Sequence, residues 1–208
     1  MSNKNKIRRL EAGEAVARPA HFVADDGKFT ELVLYIARRS EGDPRFGGVK
    51  LNKLLFYADF LSYIHFGKPI TGQEYHALPN GPAPRYKVPL WRKMEKERLI
   101  AVRKDATELG TKQETTLALR DANLSKFTAE EIDLVSKLIQ ICWGKSGNYL
   151  SEATHRFAGW ELAKEKETIP YSVALVGSRK PTPKEIRQGM TLEASAVACL
   201  MQHAAIAS

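Results

Sequence analysis

One apolar stripe constrains this chain more than anything else in it. Leu51, Leu54, Leu55, Ala58 and Leu61 recur in steps of three and four, which places them on one face of an α-helix. Gly67, with Pro69 two residues later, closes the pattern, because glycine takes the left-handed turn that ends helices and proline cannot continue one. The stretch from Lys50 to Gly67 therefore reads as a long helix at the centre of a core. Such a face must be covered, and the rest of the chain supplies the covering elements. Phe29, Leu32, Val33 and Ile36 repeat the helical period, with Asp26 placed as a cap, and Glu41-Gly42-Asp43-Pro44 breaks that helix. Residues 69 to 84 are punctuated by Pro69, Gly72, Pro79, Gly81, Pro82 and Pro84. They read as an ordered connection with a short strand over Tyr75 to Leu78. Pro84 is then expected in the first turn of a basic helix carrying Tyr86, Val88, Trp91 and Met94, where a missing N–H costs nothing.

Leu99 to Arg103 and Glu114 to Leu119 read as two strands joined through Gly110 into a β-hairpin. Thr128-Ala129-Glu130-Glu131 is a capping box for a helix with Ile132, Val135, Leu138, Ile139 and Cys142 on one side. After a break from Gly144 to Gly147, a helical stretch runs through Leu150, Ala153 and Phe157 towards Trp160. A second capping box, Thr182 to Glu185, opens a terminal helix with Met190, Ala194, Val197 and Met201 in register. The expected fold is mainly α with a small β-hairpin. A flexible arm over residues 1–26 precedes one compact domain over 27–181, and a C-terminal helix over 182–208 follows it.

At 208 residues and 43% hydrophobic content the chain can bury a full core without disulfide or metal staples. Cys142 and Cys199 sit inside apolar helical patterns with no C-x-x-C pairing, a usage that suits a reducing compartment. No run approaches the roughly 18 apolar residues of a membrane span. The basic first ten residues lead into Glu11-Ala12-Gly13-Glu14 rather than an apolar segment, so they do not read as a secretory signal. The expectation is a cytoplasmic protein with no membrane partner. The net charge is +8, and much of it is local. Between Pro84 and Lys104, eight basic residues stand against Glu95 and Glu97, a net +6. That window attracts phosphate backbones, acidic protein surfaces and acidic ligands alike.

Sequence signatures of catalysis are missing. His21, His65, His76, His155 and His203 form no H-x-x-x-H pair, and no phosphate-loop, dinucleotide or nucleophile-elbow motif occurs. No catalytic residue, metal or cofactor is expected. Asn80-Gly81-Pro82-Ala83-Pro84 has lost two N–H donors to proline and reads as a rigid turn rather than a phosphate cradle. His155 and Trp160 are about 140° apart on an ideal helix and share a face only if the helix ends between them, which Gly159 permits. Two readings stand for this pair: a core tryptophan beside a hydrogen-bonded histidine, or a partner-facing corner. The candidate partner-binding residues are Tyr75, Arg85, Tyr86, Arg92, Lys93, Lys96, His155 and Trp160. For Arg92, Lys93 and Lys96 the competing reading is the solvated face of an amphipathic helix.

The segment Lys50-Leu51-Asn52-Lys53-Leu54-Leu55-Phe56-Tyr57-Ala58-Asp59 resembles the opening helix of the Panacea-domain family of SocA-like antitoxins and proteolytic adaptors. The likeness continues, in order, through Gly67 to Gly72, Tyr75-His76-Ala77 and Gly81 to Tyr86. Leu150-Ser151, Thr154-His155 and Trp160 resemble its late element. Phe56 stands where relatives often have tyrosine. The resemblance implies a helical domain that neutralises a cognate protein toxin by direct binding, in some members delivering it to an ATP-dependent protease. Two other classes compete: a nucleic-acid-binding regulator that uses the basic 84–104 segment, and a hydrolase built on Asp59, His76 or His155.

Overall fold

The computed structural model describes residues 22–106 and 112–175. They form six α-helices and two small antiparallel strand pairs, a mainly α fold with a small hairpin. Its axis is α2 (Gly48–Phe66). Gly67 ends that helix in the left-handed region at φ 76°, its N–H donating to the Tyr63 carbonyl. Leu51, Leu54, Leu55 and Ala58 are completely enclosed, while Leu61 is half-buried. The burial is not confined to one stripe. Phe56, Phe60 and Tyr63 are enclosed too, and so are Lys50, Lys53 and Asp59. The other elements pack around α2 from several sides, so it is an axial helix rather than an amphipathic one.

Helix α1 (Asp26–Arg39) covers one side of α2. Its cap is Asp25 rather than Asp26: the Asp25 carboxylate accepts from the N–H of Lys28 at 2.7 Å. Asp26 instead accepts from the Gln73 amide at 2.8 Å. Order begins before the helix, since Phe22 sets its ring against Tyr63 and Tyr171 and the Asp25 N–H donates to the Thr71 carbonyl. Residues 22–26 are thus part of the fold, and the rest of the expected arm lies outside the described residues.

Strands β1 (Tyr75–His76) and β2 (Ala83–Pro84) pair antiparallel, Tyr75 opposite Pro84. Pro84 is therefore a strand residue and does not open the basic helix. Helix α3 (Lys87–Lys96) starts three residues later, and its first-turn proline is Pro89. It ends with Arg98 at φ 54°, Leu99 N–H donating to Met94 and Arg98 N–H to Glu95. This is a Schellman ending with arginine where glycine is usual. Strands β3 (Ile100–Ala106) and β4 (Lys112–Ala118) form the expected hairpin, with the Gly110 loop outside the described residues. Beyond β4, Arg120 grips Glu31 of α1 with two nitrogens at 2.8 Å each, which lowers the Glu31 pKa.

Helix α4 (Ala129–Cys142) carries the expected capping box, Thr128 Oγ1 accepting from Glu131 N–H and the Glu131 carboxylate from Thr128 N–H. Helix α5 (Gly147–His155) packs on α2, and a single turn, α6 (Ala158–Glu161), follows. A 3₁₀ turn over Tyr171–Leu175 closes the described chain against α2. The second capping box and the terminal helix of 182–208 lie outside the described residues.

Candidate functional site

Three polar residues inside α2 organise the molecule. Lys50 Nζ donates to Asp43 Oδ2 and to the Cys142 carbonyl, each at 2.5 Å, and to the Lys145 carbonyl at 2.8 Å. All three ammonium protons are thereby used, which is what a buried charge requires. Lys53 donates to the Pro82 carbonyl at 2.9 Å. No carboxylate pairs with it among the described residues, and burial pushes its pKa down to about 7. Asp59 accepts from the Thr71 N–H at 2.6 Å and the Thr71 hydroxyl at 2.5 Å, with the Tyr75 hydroxyl at 2.8 Å. Burial raises the Asp59 pKa.

Around Lys53 the separated sequence motifs meet. The Leu78–Pro82 turn lies between α2 and the α5–α6 region, and three side chains hold its carbonyls. Trp160 Nε1 donates to Leu78 at 3.0 Å, Ser151 Oγ to Asn80 at 2.5 Å, and Lys53 to Pro82. Gly81, at φ 83°, passes so close to Thr154 and Lys53 that a Cβ there would lie 2.4 Å from Thr154 Oγ1. Only glycine satisfies both the angle and the space. Helix α5 ends at His155 and α6 begins at Ala158, so the chain breaks between the two residues, though before Gly159. The His155 and Trp160 rings then stack at 3.8 Å and 15°. His155 Nε2 is enclosed and finds no hydrogen-bond partner among the described residues.

The eight candidate partner-binding residues fall into three groups. Tyr75 is 1% exposed, with its hydroxyl 2.9 Å from the Leu55 carbonyl and beside Asp59. It is a core residue and presents no ring to a partner, a correction to the surface role expected of it. His155 and Trp160 are half-buried, and the indole N–H is committed internally. Arg85, Tyr86, Arg92, Lys93 and Lys96 are exposed. Arg85 is engaged, at 2.9 Å from the Thr168 hydroxyl and 3.7 Å from Glu74. Arg92, Lys93 and Lys96 make no ion pair among the described residues. They lie opposite Leu90, Trp91 and Met94, which turn inwards, with Tyr86 and Val88 more than half exposed beside them. Asp59, one of the three residues of the hydrolase reading, is 0% exposed and its acceptors are occupied from within the fold.

A model of the family described as Antitoxin SocA-like, Panacea domain matches residues 51–161, more than half of the chain. The chain belongs to this family. No curated protein and no solved structure matches it. The Panacea match begins one residue after Lys50 and ends one residue after Trp160, so α1 lies outside it while packing directly upon it. Within the matched segment Lys53, Ser151 and Trp160 hold the carbonyls of the Leu78–Pro82 turn, and Thr71 and Tyr75 hold Asp59. Phe56 sits 1% exposed with its ring against Phe60, Tyr75 and Phe157, an apolar setting in which a tyrosine hydroxyl would need a partner. Sequence reasoning missed Lys50 and Lys53. The available signal was two lysines three residues apart in a helix otherwise apolar on most sides.

Proposed function

We propose that this chain is an antitoxin that neutralises a cognate protein toxin by direct binding in the cytoplasm, without catalysis of its own. The observation that carries the reading is the Panacea-family match over residues 51–161. The exposed face of α3 supports it as the binding surface in this reading. Arg92, Lys93 and Lys96 are unpaired among the described residues, and Tyr86 and Val88 are 53% and 59% exposed. Cations of this kind accelerate encounter with an acidic surface and sharpen specificity, while the tyrosine supplies anchoring area. Among the described residues no helix is long and apolar enough to cross a membrane, and no three His, Cys, Asp or Glu side chains gather as a metal site. In this reading the toxin is the principal partner, and handing it to an ATP-dependent protease would be a second step.

Co-expression with the product of the adjacent open reading frame tests the proposal. The wild-type chain is expected to rescue growth and to co-purify with the toxin. Arg92→Glu, Lys93→Glu and Lys96→Glu together are expected to abolish both at unchanged expression, because exposed positions tolerate such changes within about 0.5 kcal/mol each. Full rescue by the triple variant would place the toxin surface elsewhere. Duplex DNA bound near physiological salt, with affinity falling steeply as salt rises, would favour the nucleic-acid reading of the same window.

A further inference from the structure

Where the turn between α4 and α5 meets the connection between α1 and α2, the fold displays two large aromatic rings, one of them beside a cation, on a fixed base. Trp143 is 47% exposed and Tyr149 54% exposed. The Trp143 ring lies over Gly42, 3.8 Å from where a Cβ on that residue would stand. Lys145 Nζ sits 5.3 Å from the Tyr149 ring centroid. Arg45, Gly144, Lys145, Ser146 and Tyr149 line a surface hollow of about 350 Å³. Neither Arg45 nor Lys145 forms an ion pair with a carboxylate among the described residues. The base beneath them is the buried Lys50–Asp43 pair. Lys50 holds the carbonyls of Cys142 and Lys145, and Asp43 Oδ1 accepts from the N–H groups of Arg45 and Gly144.

Tryptophan, tyrosine and arginine dominate binding energy where they are collected at protein interfaces. A base already fixed by internal hydrogen bonds spares a partner the cost of ordering it. Arg45 and Lys145 are both cations free of an ion pair among the described residues, so the complementary surface is acidic. We propose that this corner is a second protein-binding surface, separate from the α3 face, which receives an acidic segment of a partner protein. Carboxylates of that segment face Arg45 and Lys145, and an apolar side chain rests on Trp143 and Tyr149. Two cations neutralise too few phosphates to hold a nucleic-acid strand, whose affinity grows with each one neutralised. A second copy of the chain related by a twofold axis would set one such corner against another and bring two more cations to it without adding a carboxylate to pair them.

The test uses the full chain and a fluorescein-labelled dodecapeptide of repeating Asp-Asp-Leu, read by fluorescence anisotropy, so it does not depend on the toxin. Its controls are the Asn-Asn-Leu counterpart and a dodecamer of oligothymidylate. The acidic peptide is expected to bind at least about tenfold more tightly than the asparagine peptide, and to lose at least about tenfold in affinity with Trp143→Ala. Arg45→Glu combined with Lys145→Glu is expected to do the same, whereas the α3 triple variant binds within about twofold of wild type. The two cation positions are substituted at their side chains alone, so this pair keeps the test valid if Trp143→Ala fails to fold. Equal binding by the corner variants and wild type would overturn the inference. So would loss of binding only in the α3 variant, or oligothymidylate binding lost with the corner residues. A dimer in sedimentation velocity that Trp143→Ala dissociates would also overturn it, in favour of self-association.

Discussion

Lys53 Nζ reaches the carbonyl of Pro82 across 2.9 Å while every carboxylate among the described residues stays away from it. Burial alone lowers its pKa from 10.5 to about 7. In the unfolded chain the amine keeps its proton to about pH 10, so between these values unfolding takes a proton up. Folding stability must then rise with pH across that window, and below pH 7 the folded chain carries the whole penalty of a charged, buried amine. The rise from pH 7 to 9.5 should be on the order of a few kcal/mol in urea denaturation. Lys53→Met should flatten it. A wild-type minus Lys53→Met difference that does not change with pH would mean the amine is charged throughout.

Gly81→Ala should destabilise the fold by about 2–4 kcal/mol, because the alanine meets both an unfavourable φ and a contact with Thr154 Oγ1. In the same background Thr154→Ala removes the obstructing atom. The double variant is therefore expected to lose less than the sum of the two singles, a coupling measurable by a double-mutant cycle. Strict additivity would show that the Thr154 contact contributes nothing, leaving the backbone angle and the Lys53 contact as the cause.

Leu54→Ala or Leu55→Ala should each cost about 2–5 kcal/mol, since both side chains are completely enclosed in the axial helix. Chemical denaturation gives the value directly. A change below about 0.5 kcal/mol at both would contradict the burial of this face.

Removing Lys50 strands a carboxylate. Lys50→Met leaves Asp43, itself 6% exposed, without its cation, removes the ammonium donor from the Lys145 carbonyl, and leaves the Cys142 carbonyl only the Lys145 N–H. A loss of about 3–5 kcal/mol is expected. Adding Asp43→Asn should recover part of it, because the buried charge disappears. No recovery in the double variant would show that the carbonyl contacts, not the ion pair, carry the stabilisation.

The parts of this fold legible in the sequence are those written locally. The Thr128–Glu131 capping box, the period of α1 and α2, and the hairpin all depend on neighbours a few residues away. Pro84 illustrates the opposite case. Its fixed φ suits a helix's first turn and an extended strand equally, and only pairing with Tyr75 decides between them. Tyr75 followed a run of Pro and Gly that suggested an exposed connection, yet its hydroxyl is satisfied by Asp59 from sixteen residues earlier. Lys50 and Lys53 are only partly legible for a related reason: their spacing in an apolar helix marks them, but a lysine reads as solvent-facing until the distant carbonyls that receive it are known. The His155–Trp160 stack was foreshadowed by the requirement for a helix end, although the end falls at Arg156–Phe157.

The enclosure of Lys50 and Lys53, each 1% exposed on the same helix, makes them internal reporters of opening. An acylating reagent should modify the surface lysines at once and leave these two amines untouched until α2 itself comes free. Trypsin likewise finds no cleavable bond after either residue while the helix is intact. The rate at which mass spectrometry detects label on them is thus a clock for separation of the axial helix from its surroundings, readable in a cell lysate without purifying the protein.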